Sequence, residues 1–262
     1  MRAIRAEWTK LRTLPSSWWL LAAVIAVTVA IGGAAAAAVT TDQCYPTPAD
    51  CQEDTVKLSL TGVWAGQAAV AVLGALAMSG EYGTGTIGAS LTAVPRRGRL
   101  LTAKASVVGA LALAAGALGV LGSLLVGRLV LPGNGFTAEA GYPPPSLTDG
   151  PTLRAAVGSM VYLGLIALLA LGVAALVRDT AGAITTVLAL LYAFPVLVEV
   201  VSSGKWRERL QEWGPVSAGM AVQATRNLDR LPIGPWPGLG VLAAYAAAAL
   251  LAGGLAFRFR DA

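Results

Sequence analysis

The chain has no histidine, only two cysteines, and few charges: 13% of its 262 residues are Asp, Glu, Lys or Arg. Each shortage excludes something. Without histidine there is no Ser-His-Asp hydrolase and no His-ligated metalloprotease. Two cysteines cannot build a disulfide scaffold, and two thiols without histidine do not complete a zinc site. A charge content near half the roughly 25% of soluble domains, beside 56% hydrophobic residues, argues against a water-soluble fold.

What the chain does have is long apolar runs. Six of them cover about residues 18–39, 58–78, 105–127, 153–177, 180–201 and 236–257. A hydrocarbon layer about 30 Å thick needs about 20 helical residues to cross it. With no water to pair the backbone, helix is the conformation these runs require. The expectation is an all-α integral membrane protein with six transmembrane helices, forming one membrane domain over residues 1–262. No loop is long enough for a separate globular domain. The first run is too long for a signal-peptide core and lacks a clean cleavage site, so it reads as a retained span.

The net charge of +5 follows from 19 basic and 14 acidic residues. The basic residues flank the spans, so they read as topology determinants and not as a nucleic-acid surface. Arg2, Arg5, Lys10 and Arg12 precede the first span, Arg96, Arg97, Arg99 and Lys104 follow the second, and Arg258 and Arg260 end the chain. The loop at 40–57 is acidic, with Asp42, Asp50, Glu53 and Asp54. The positive-inside rule then puts both termini in the cytoplasm. The basic residues Lys205, Arg207, Arg209, Arg226 and Arg230 run against this, since their loop falls outside. That loop reads as short outer helices dipping back toward the membrane before the last span.

Ile4, Trp8, Leu11 and Leu14 recur at helical spacing among basic residues. They predict an N-terminal interfacial amphipathic helix over 1–15, broken by Pro15 and contacting membrane lipid. Cys44 and Cys51, in an outer loop, predict a disulfide, with two free thiols as the alternative. Gly62 and Gly66 form GxxxG, and Gly116, Gly119 and Gly122 repeat at three-residue spacing, as close helix packing requires. Trp64, Gln67, Met78, Tyr162, Tyr192 and Phe194 either line a route for an amphiphile or simply pack.

The most specific stretch is the loop from Ser79 to Lys104. Glu81 stands where the second span ends, with a carboxylate suited to a helix start. Thr84 and Thr86 are available N-caps. Ile87, Leu91 and Val94 give a short helix one apolar edge, and Pro95 ends it. If the helix projects into the cytoplasm, that edge needs a partner to bury it. Gly83-Thr-Gly-Thr-Ile-Gly88 lacks the Lys-Ser or Lys-Thr ending of a P-loop and no strand precedes it.

At Glu7-Trp-Thr-Lys-Leu-Arg12, and at Glu81, Gly85-Thr-Ile, Pro95, Arg97 and Lys104, the chain resembles the ABC-2 type permeases, membrane subunits of bacterial ABC exporters. Six spans complete the resemblance, which extends over essentially the whole chain. It implies an ATPase-coupling loop comprising Glu81, Thr84, Thr86, Ile87, Leu91, Val94, Pro95 and Arg97. It implies a homodimer or a heterodimer with a second permease, and two copies of an ABC ATPase subunit. The chain would lack catalytic, cofactor and metal sites of its own, with ATP bound by the partner. Cargo would be an amphiphile such as an antibiotic, peptide or lipid, exported across the bacterial cytoplasmic membrane. The alternatives are an ion-coupled secondary transporter, which ordinarily needs ionisable groups within its spans, and a membrane immunity or sensor protein without transport.

Overall fold

The computed structural model describes residues 2–41, 53–93, 96–200 and 204–259. The expected Cys44–Cys51 disulfide and the loop residues Val94 and Pro95 lie outside the described residues. Those described are overwhelmingly helical, with no strand among them. Helix α1 (Arg2–Thr13) leads at Leu14 into α2 (Pro15–Ala38), where Pro15 takes the first helical position that suits a residue without an N–H. A short α3 (Thr55–Ser59) precedes α4 (Gly62–Gly83), α5 (Ile87–Ala93) and α6 (Arg97–Val130). Then come α7 (Gly150–Val177), α8 (Thr180–Leu188), α9 (Phe194–Val200), α10 (Gly204–Trp213), α11 (Pro215–Met220) and α12 (Pro235–Phe259).

Among the described residues, six helical segments are long and apolar enough to cross a membrane: α2, α4, α6, α7, α8 with α9, and α12. The segment α8–α9 is continuous through a π-helical stretch at Ala189–Ala193. Pro195 explains it: a proline lacks the N–H and crowds the carbonyl four residues back, and a wider turn relieves both.

The inner frame is α4 and α7, which pack on each other; α2 and α6 flank one side and α12 covers α7. Small residues set the spacing. A Cβ added at Gly62 would come within 1.9 Å of the Thr28 carbonyl oxygen, so α4 can cross α2 there only without a side chain. The GxxxG pair and the glycines of α6 are thus used inside the chain. Gly119 faces Thr28 of α2, and Gly116 faces Leu163 of α7. Gly62→Ala should therefore push α2 from α4 at a cost of about 1–3 kcal/mol, read as a lowered unfolding temperature in detergent; an unchanged temperature would contradict that crossing.

Two ends of the bundle differ. At one end lie α1, the close of α4, α5, the start of α6, the turn at Arg178–Asp179 and the close of α12. There Arg97 donates to the Phe257 carbonyl at 2.7 Å and Arg178 to the Ala256 carbonyl at 3.1 Å. Both guanidiniums meet the last turn of α12, where unpaired carbonyls and the helix dipole favour cations. Arg178, at φ 63°, turns the chain, and Asp179 caps α8 by accepting from Gly182 N.

At the far end, Asn134 donates to the Ala36 carbonyl at 2.9 Å, closing α2. Asp54 caps α3 and also accepts from Thr225 Oγ1 at 2.7 Å and Arg226 N at 3.0 Å. Arg226 lies over the Tyr142 ring, 4.4 Å from its centroid. These contacts account for one of the basic residues that run against the charge rule. The helices α10 and α11 precede α12 as expected. Helix α11 is mostly buried and packs on α12 and α7, with Gly219 against Tyr162, three turns into α7.

Candidate functional site: a buried ion cluster at one end of the bundle

Four charged side chains from three helices meet where α1 crosses the ends of α4 and α6. Lys104 Nζ donates to Glu7 Oε2 at 2.8 Å, to Glu81 Oε1 at 2.6 Å and to the Ala77 carbonyl at 3.0 Å. Lys10 Nζ donates to Glu7 Oε1 at 3.0 Å, to Glu81 Oε1 at 2.8 Å and to Ser90 Oγ of α5 at 2.9 Å. The Lys104 side chain is 2% exposed, Glu7 4% and Glu81 12%, whereas Lys10 is 42% exposed. Such burial is tolerable because the two positive and two negative charges cancel and every ammonium hydrogen has an acceptor.

Helical geometry brings these residues together. Glu7 and Lys10 stand three apart, on one face of α1. Leu11, one turn beyond Glu7, enters the core on that face. Helix α1 thus buries Glu7 and Leu11, while Ile4, Trp8 and Leu14 stay about half exposed. Of the apolar stripe seen in the sequence, Leu11 is thus buried on the bundle while the other three members are turned largely away from it. Helix α6 begins at Arg97, eight residues before the expected span at 105, so Lys104 lies two turns inside a helix.

Glu81 needs a similar correction. It lies in the last turn of α4 and not near a helix start, so the α4 dipole opposes its charge. The two lysines supply the compensation. Burial alone would lower the Lys10 pKa, but the Glu81 and Glu7 carboxylates outweigh it and hold Lys10 above the ordinary lysine value. Its contribution to stability is therefore fully present below the ordinary lysine range and is lost only as pH rises through the raised value.

The remaining loop residues divide. Thr84 does not cap a helix start: it ends α4, and its Oγ1 donates to the Gly80 carbonyl at 2.8 Å. Thr86 immediately precedes α5, its hydroxyl paired with that of Thr84 at 2.9 Å. Ile87 is buried in this chain's own core and Leu91 packs partly against it, so the apolar edge is not an unpartnered surface. The face of α5 turned outward carries Gly88, Ala89 and Thr92. Arg97 closes α12, as described.

Sequence reading overlooked how Glu7, Lys10, Lys104 and Ser90 combine. The available signal was two carboxylates and two lysines placed where apolar helices end, in a chain with few charges.

A second buried polar set lies deeper. Tyr162 of α7 donates to Gln67 Oε1 of α4, and Gln223 Nε2 donates to Ser159 Oγ at 3.2 Å. Tyr192, in the π-helical stretch, donates to the Trp64 carbonyl at 2.8 Å, with its ring edge-on to Trp64. Gln67, Met78 and Tyr162 are fully buried in packing. Tyr162→Phe would strip the buried Gln67 Oε1 of the hydroxyl that donates to it. A cost of about 1–3 kcal/mol is expected, measured by thermal unfolding; Tyr162→Phe with wild-type stability would show that the hydroxyl contributes nothing net.

A scan of protein-family models finds no match to this chain, and a search of curated proteins finds none either.

Proposed function

We propose that the chain is the permease subunit of an ATP-driven exporter, coupled through its α4–α6 loop to a separate ATPase subunit. The observation that carries this reading is the ion cluster itself. A loop that transmits force must be joined rigidly to the helices it moves. Here α5 is tied through Ser90 to Lys10, and through Lys10 to Glu7 and Glu81, with Lys104 completing the link to α6. A displacement of α5 is thereby passed to α1 and to the ends of two long apolar helices.

Other features agree. The six long apolar helices suit a multi-pass protein of the bacterial cytoplasmic membrane, with both termini in the cytoplasm beside the coupling loop. Ile4, Trp8, Leu14, Trp18 and Trp19 are exposed on or just after α1, as an interfacial helix requires. Helices α10 and α11 would then lie on the outer side. Two permeases, alike or different, would stand beside two ATPase copies, and the cargo would be an amphiphile.

The test is coexpression with an ABC ATPase subunit from the same genome, followed by purification in mild detergent and reconstitution. The expected result is a stable complex whose ATP hydrolysis drives efflux. Transport by the chain alone, driven by an ion gradient, would overturn the proposal.

A further inference from the structure

Beside the ion cluster is an open-sided cavity of about 650 Å³, lined by α1, α2, α4, α5 and α6. That volume is within the range of about 300–1,000 Å³ typical of small-molecule sites. Its two ends differ chemically. The four charged residues of the cluster are on its lining, and Leu20, Leu73 and Leu76 are among the apolar residues that complete it. Leu73 is eight residues before Glu81 on α4, which puts the apolar part about 12 Å from the charged part.

The hydrogen-bond inventory selects the head group. Both ammoniums have all three donors engaged within the chain, on Glu7, Glu81, Ser90 and the Ala77 carbonyl. Thr84 and Thr86 are occupied with each other and with Gly80. Ser16 and Ser17 on the lining are hydroxyls able to serve either sense. Among the cluster's four carboxylate oxygens, Glu81 Oε2 alone has no partner, since both lysines converge on Oε1. An anionic head would find the lysines saturated. A donating head finds one carboxylate oxygen that neither lysine uses; it is buried, and rotation about the soft terminal torsion of Glu81 is what would present it to the cavity.

We infer that this cavity binds one amphiphile with an N–H- or O–H-donating head toward Glu81 and an aliphatic tail along α2 and α4. The inference does not depend on an ATPase partner. Its source is either a membrane lipid with such a head or an amphiphile entering from solution.

The test uses the full chain in phosphatidylcholine nanodiscs, whose head group has no N–H or O–H to donate. Three photoreactive probes of equal chain length are compared: a dodecyl amine, a dodecyl alcohol and a dodecyl methyl phosphate, a diester anion with no O–H. The amine and the alcohol should label α1, α2 and α4 peptides at least tenfold more than the phosphate. Leu76→Trp, which fills the apolar part, should abolish that labelling. Leu20→Trp on the opposite wall serves the same purpose should Leu76→Trp fail to insert. Competition by added phosphatidylethanolamine supports the lipid source, and labelling without such competition supports the soluble one. Equal labelling by the phosphate, or amine labelling unchanged in a folded tryptophan variant, would overturn the inference.

Discussion

Lys104→Met should be the most damaging single substitution in this chain. Methionine fills the space but removes the cation shared by Glu7 and Glu81. Lys10 alone then faces two buried carboxylates, one of which already opposes the α4 dipole. Breaking a buried pair by removing one partner costs about 3–5 kcal/mol, because the remaining charge is left uncompensated. The expected result is a large fall in unfolding temperature in detergent and a loss of α1 protection from protease. Glu7→Gln added to Lys104→Met should recover part of the loss, since it removes the excess negative charge. Such coupling between contacting charges is ordinarily about 0.5–3 kcal/mol. Lys104→Arg should rescue poorly, because a planar guanidinium does not reproduce three donors on a compact ammonium at this site. A Lys104→Met protein that unfolds at the wild-type temperature would mean that the cluster is not what fastens α1 to the bundle.

Gly88→Arg should have the largest effect on coupling while leaving the chain itself intact. Gly88 is on the outward face of α5, and nothing lies within 4 Å of the Cβ it would gain. A helical Gly replaced by Arg gains up to about 1 kcal/mol of helix propensity, so stability should not fall. If α5 docks on an ATPase, however, a bulky charge enters the contact. A loss of about 1–3 kcal/mol of docking is expected, or roughly 5- to 150-fold less copurified ATPase at limiting concentration, together with loss of efflux. Leu91→Asp does not make this test cleanly. Leu91 packs on the chain's own core, so an aspartate there would destabilise the permease before any docking is measured. If α5 is only a connector, Gly88→Arg will leave both assembly and transport unchanged, and the coupling proposal will be wrong.

The number and approximate position of the apolar helices were legible in the sequence because they follow from a local quantity, the run of residues without charge, although α6 begins eight residues before its apolar run. Pro15 marked the boundary between α1 and α2, and the glycines marked close packing, for equally local reasons. The sequence also drew attention to the loop from Ser79 to Lys104, by its glycines and its basic group. What it did not disclose was where the apolar edge of α5 points. Ile87 and Leu91 have the same periodicity whether they meet a partner or their own bundle, and only the position of α5 against α4 and α6 decides between them.

The ion cluster was illegible for a related reason. Glu7, Lys10, Glu81 and Lys104 are separated by up to 97 residues, and each taken singly reads as a topology signal or an end residue. Pairing them depends on the rotation of α1, which buries Glu7 and Leu11 and leaves Ile4 and Trp8 outside. An amphipathic pattern gives the preferred face for a helix in water. At a membrane surface the apolar face is the one turned to lipid, so the charged face is free to pack inward. The sequence alone thus determined that the helices are there and roughly where they lie. The tertiary structure decided which side of each is inside, because burial of a charge is settled by its partners and not by its neighbours in the chain.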